Sequence, residues 1–94
     1  MIGKDVIVRT HSADVHFGTL QYRDGKEVVL TDARRIWSCN GAFTLSAVAL
    51  HGVGKSSKMS VEITEILLTE AIEVIPCSEA ATVNLRSLEA HDPR

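Results

Sequence analysis

The residues best suited to chemistry in this chain lie in one short run, "ARRIWSCNGA" at positions 33–42. Arg34 and Arg35 can each offer a planar fork of N–H donors to a carboxylate or phosphate. Trp37, the only tryptophan, offers a face for stacking. If the run up to Trp37 is a strand, successive side chains alternate sides, so Arg35 and Trp37 share a face while Arg34 points away. Asn40 and Gly41 then open an apolar segment of helical period, whose first N–H groups favour negative charge. Arg35, Trp37, Asn40 and Gly41 are therefore the candidate ligand-binding residues. Their chemistry suits a small anionic ligand, nucleotides included. The competing reading places Trp37 as a cap on the core, with both arginines in solvent.

No other constellation points to a reaction. His11, His16, His51 and His91 are scattered, and Cys39 and Cys77 stand in neither a CxxC nor a CxxH spacing, so no metal site is expected. No GxSxG, HExxH or P-loop string occurs. Glu62 and Glu73 alternate with Val61, Ile63, Ile72 and Val74, which predicts a solvated sheet face and no carboxylate pair. Cys77 follows Pro76 at a strand end and reads as a small buried thiol. The expectation is a non-enzymatic protein with no catalytic residue, metal or cofactor.

Length and composition bound the partners. Ninety-four residues, 45% hydrophobic and 23% charged, make one globular domain over 1–94. Net charge is −2; the first forty residues hold six basic and five acidic groups, the remaining fifty-four hold four and seven. Neither half neutralises a long phosphate track, so duplex nucleic acid is not an expected partner. No apolar run approaches the roughly 20 residues that span a bilayer, and the charges at positions 4, 5 and 9 break up any leader-like core. With two distant cysteines, a reducing cytoplasm is the expected compartment.

The elements that must position these residues follow from period and turn chemistry. Residues 5–10, 15–22 and 27–37 read as strands, the second bent at Gly18, with Asp24-Gly25 as a hairpin signal between the second and third. Residues 41–52 read as an inserted helix, with Asn40 as N-cap and Gly52 as the closing residue. Its apolar groups surround most of the helix, which predicts burial by another chain, and hence a homo-oligomer. After a polar loop at 53–58, residues 59–69 and 71–78 read as a further hairpin. A C-terminal helix at 78–90 starts on a Ser cap and turns Ala81, Leu85 and Leu88 to one side, leaving 91–94 as a tail. The fold class is mainly β, five strands with one inserted and one C-terminal helix.

Two resemblances carry this further. Gly18-Thr19-Leu20, Val28-Val29-Leu30-Thr31-Asp32-Ala33 and "ILLTEAIEVIP" (66–76) resemble the strand pattern of SH3-like and Sm-like small barrels, which implies a five-stranded small barrel. The loops "RDGK" and "LTEA" lack the Sm uridine-pocket signatures, so RNA binding of that kind is not implied. The motifs "ARRIW…GA" and "LTEAIEVIP" resemble a family of short, uncharacterised tailed-phage and prophage proteins. That resemblance implies an accessory role in the host cytoplasm, such as binding a small anionic ligand or a host protein to inhibit host defence. The alternative is a structural or assembly protein of a phage particle that uses the barrel to oligomerise.

Overall fold

The computed structural model describes residues 2–11, 15–38, 45–54 and 58–89, without the side chains of Trp37, Ser38, Leu45 and Lys58. Strand β1 is Asp5–Thr10, β2 is Val15–Asp24 and β3 is Glu27–Ser38. Helix α1 (Leu45–His51) comes next, then β4 (Lys58–Met59), β5 (Ile63–Leu68), β6 (Ala71–Pro76) and helix α2 (Glu79–Ser87). All pairings are antiparallel, in the order β4-β3-β2-β1-β6, with β5 also on β3. Among the described residues the architecture is thus five strands of six or more residues, a two-residue strand and two helices.

The β2–β3 hairpin forms where the turn chemistry places it. Asp24 pairs with Glu27, so the two loop residues are Gly25 and Lys26. Gly25 sits at φ 59 while Lys26 is not in the left-handed region, the φ pattern of a type II′ turn. Two bulges of opposite sense then follow along the ribbon. Gln21 is the extra residue on β2, and a further residue is extra on β3 near Asp32, which takes φ 48. Gly18 lies opposite that second bulge, and a Cβ there would come within 3.2 Å of Leu30, Thr31 and Ala33. The expected close backbone approach at Gly18 is therefore present.

β1 is buried on both faces. Val6, Ile7 and Val8 are all 0% exposed. Ile7 joins Phe17 and Ile36 under the helices, with Val48, Ala49, Val53, Met59 and Leu85. Val6 and Val8 join a second core of Leu20, Val28, Leu30, Ala33 and Leu68 on the inner face. α2 begins as the sequence predicts: Ser78 accepts from the Ala81 N–H, and Ala81 and Leu85 turn inward.

Several expectations are corrected. The strand expected over 59–69 is broken at 60–62, because β3 bends at its bulge and changes partner, pairing with β5 through Ala33 and with β4 from Ile36. β5 and β6 do not pair as a hairpin among the described residues; β5 lies on β3 and β6 on β1. The Thr69-Glu70 link lacks hairpin turn chemistry. It is held elsewhere instead, with the Ala71 N–H donating to Lys26 O at 3.0 Å and the His11 N–H to Glu70 O at 3.1 Å. The sheet is accordingly not closed by a ladder. Glu62 and Glu73 do face water, but so do Val61, Ile63 and Ile72, so the alternation there does not separate core from surface. The inserted helix is seven residues within the expected 41–52, closed by Gly52 at φ 77; residues 41–44 lie outside the described residues. It buries Val48 and Ala49 and exposes Ser46 and Leu50, so the domain covers one side of it and leaves apolar Leu50 in water. The C-terminal helix is Glu79–Ser87 within the expected 78–90, and the tail at 91–94 lies outside the described residues.

Candidate functional site

The alternation along β3 separates the two arginines as expected, but the outcome differs on each side. Arg34 shares the helix side with its cross-strand partner Phe17. It is 4% exposed, so the reading that leaves both arginines in solvent fails for it. Its Nε donates to Ser60 O at 2.9 Å and its Nη1 to Leu85 O at 2.8 Å. Leu85 is in the last turn of α2, where carbonyls lack helical partners and favour a cation. Burial pushes the Arg34 guanidinium below its usual value, with Glu62 opposing. It remains charged and ties β3, the 60–62 segment and α2 together.

Arg86 supports the same joint. Its guanidinium lies 4.5 Å from the Phe17 ring centroid and bridges Asp5 at 3.1 Å and Glu62 at 2.6 Å. It also donates to the carbonyl of Asp32 at the bulge and to Thr19. Cys77 packs against this helix-covered core, and burial pushes its thiol up to about 12. At neutral pH it is a thiol, hence a poor nucleophile. Among the described residues no three His, Cys, Asp or Glu side chains converge as a metal site.

Arg35 faces the other way, into a cleft of about 200 Å³. The lining is His16, Arg35 and Ser60 on the polar side, with Ala33, Val61, Ile63 and Ile66 supplying carbon, and Arg34 also borders it. Ala33 and Ile66 belong to the inner core or pack on it, so the cleft is the open end of that core. His16 is cross-strand to Arg35 and 1% exposed. Arg35 Nε donates a long hydrogen bond, 3.4 Å, to His16 Nε2. Ser60 fixes the backbone here: its Oγ accepts from the Arg35 N–H at 2.7 Å, and its own N–H donates to Arg35 O at 2.8 Å.

Of the four residues predicted from sequence, Arg35 lines this cleft. Trp37 lies in β3, two positions on, and its side chain is outside the described residues. Asn40 and Gly41 are also outside them, so the expected meeting of Arg35 with a helix start falls beyond what is described. His16, Ser60, Val61, Ile63 and Ile66 were not anticipated. The first had a signal, since His16 stands eight residues before Asp24 and Arg35 eight after Glu27, so counting outward from the turn pairs them. The others had none, because they arrive through the break in the strand expected over 59–69.

Among the described residues no helix is long and apolar enough to cross a membrane. No curated protein and no solved structure matches the chain. A family model does match, over residues 3–85, which takes in β1 to β6 and most of α2. The chain belongs to the DUF6948 family, a domain of unknown function.

Proposed function

We propose that this chain is a non-enzymatic, phage-encoded accessory protein that binds a small anionic ligand, or an acidic group on a host protein, in the cleft at Arg35. One observation carries the reading. Arg35 is a half-buried guanidinium with no carboxylate partner among the described residues, lining a cleft whose other wall is aliphatic. Partly desolvated guanidinium without a counter-charge favours an anion from outside. The phage origin rests on the resemblance of the ARRIW and LTEAIEVIP segments, and it makes interference with a host defence in the host cytoplasm the accessory role. On the same footing we read the open sheet as an SH3-like small barrel, with β5 and β6 flanking its seam and the inner core as its interior.

Gentle lysis followed by native mass spectrometry tests the binding reading. The expected result is a retained small acid, displaced by acidification and missing from Arg35→Ala. A protein that retains nothing, and that is found by mass spectrometry in purified phage particles, belongs instead to particle assembly. A specific observation favours that second reading. Tyr22, Val29 and Leu67 are cross-strand neighbours over β2, β3 and β5, with Tyr22 and Leu67 half exposed, and such an apolar row suits contact between copies in a homo-oligomer.

A further inference from the structure

We infer that the anion taken by this cleft is a single carboxylate on a small aliphatic body, an inference that rests on the binding reading above and narrows it. The charge count at the cleft is low. Arg34 has committed Nε and Nη1 to the carbonyls of Ser60 and Leu85, and Arg86 is satisfied by Asp5 and Glu62. Arg35 is the one guanidinium at the cleft that is bound neither to carbonyls nor to a carboxylate among the described residues. His16 Nε2 offers no donor to a ligand, because it is the acceptor of the Arg35 Nε–H. Ser60 Oγ is likewise engaged, accepting from the Arg35 N–H and donating to Val61 O at 3.0 Å.

One planar fork with its Nε already held leaves the Nη groups for a ligand. That matches the two oxygens and one charge of a carboxylate. A phosphate monoester brings roughly −1.5 to −2 charges and three acceptor oxygens. It would be left with unpaired oxygens against Ala33, Val61, Ile63 and Ile66, and burying a charge without partners is costly. Size points the same way. The 200 Å³ of the cleft falls below the roughly 300–1,000 Å³ of sites for drug-sized ligands. A small acid would fill it, and a nucleotide would extend well beyond it. Val61 and Ile63, both about half exposed, would be covered by the aliphatic part. Such a group is either a free branched-chain acid or the carboxyl end of a peptide closing on Val or Leu.

The test is amide chemical-shift mapping on the full chain with isovalerate, isovaleramide, N-acetyl-leucine and isopentyl phosphate. Isovalerate and N-acetyl-leucine should move the amides of residues 33–35 and 60–66, and isovaleramide should not. Arg35→Gln should keep the spectrum of the folded chain and weaken both acids by roughly tenfold to a hundredfold, as loss of a charged hydrogen-bond pair does. Tighter binding of isovalerate marks a free acid as the natural source, and tighter binding of N-acetyl-leucine marks a chain end. If isopentyl phosphate moves the same amides at lower concentration than isovalerate, the carboxylate inference is overturned and anion binding stands. If no anion moves them, or isovaleramide does so equally, both the inference and the binding reading are overturned.

Discussion

Arg34 and Arg35 are neighbours of one residue type on one strand, yet they end in opposite circumstances. On Arg34's side, α2 closes over the sheet, and the guanidinium spends its donors on the carbonyls of Ser60 and Leu85. On Arg35's side, the chain breaks at residues 60–62 ahead of β5, and among the described residues the guanidinium meets only a histidine and a cleft. Nothing in either residue decides this. What decides it is whether the element packed over that face brings unsatisfied carbonyls or an opening. A charged side chain is structural where the fold supplies its partners and available where the fold leaves one out.

The contrast can be broken at its strongest point first. Arg34→Ala should destabilise the domain by about 3 kcal/mol in urea unfolding, because a buried carbonyl and a part-buried one lose a charged donor. Arg34→Lys should recover little of this, since an ammonium cannot reproduce the fork. A loss below about 1 kcal/mol would show that α2 is held without Arg34.

The next effect lies one residue away on α2. Asn84 grips Val53, its Oδ1 accepting from the N–H at 2.7 Å and its Nδ2 donating to the carbonyl at 3.0 Å. Gly52 stands beside it at φ 77, and a Cβ there would collide with the Asn84 side chain. Gly52→Ala should cost about 2 kcal/mol by thermal unfolding, from left-handed strain and the displaced Asn84. If Gly52→Ala is neutral, the Asn84 clamp on Val53 contributes little to the helix-covered side.

A substitution in the turn touches both sides together. Gly25→Val should cost roughly 1–2 kcal/mol, since φ 59 is strained for a β-branched residue. It should also disturb the amides of His16 and Arg35 less than those of Asp24 and Glu27, because the bulges lie between. The smallest effect completes the comparison. Arg35→Ala should change stability by no more than about 0.5 kcal/mol, one position away from the largest loss. A cost comparable to that of Arg34→Ala would mean that Arg35, too, is a structural residue and the cleft no site.

Much of this was legible in the sequence. β-branched residues located β1, a period of two located β2 and the Asp24-Gly25 signal located β3 as its partner, while Gly52 marked the end of α1 and Ser78 the start of α2. Alternation put Arg34 and Arg35 on opposite faces. What could not be read was which face each element covers. The residues of the 59–69 stretch alternate as a continuous strand would, and only the bend in β3 at Asp32 explains why it breaks and why Val61, Ile63 and Leu67 stay in water. Arg86 was equally silent: it sits in a helix turn with no motif, and its partners Asp5, Thr19 and Glu62 are brought to it from three separate parts of the chain. The contribution of Trp37, Asn40 and Gly41 to the site stays with the proposal.

β1 has a consequence for how the molecule comes apart. Its residues 6–8 serve as wall to two interiors at once, Ile7 to one and Val6 and Val8 to the other. Partial opening can release β5, with its half-wet outer row, and lay the inner core open at Leu68 while the helix-covered core stays shut. It cannot release β1 without draining both. The amides of residues 6–8 should therefore exchange with deuterium only through global opening, at one shared rate, while those of β5 exchange through smaller excursions. A domain of this size with two interiors would have the means to melt in two steps; a strand common to both makes them melt as one.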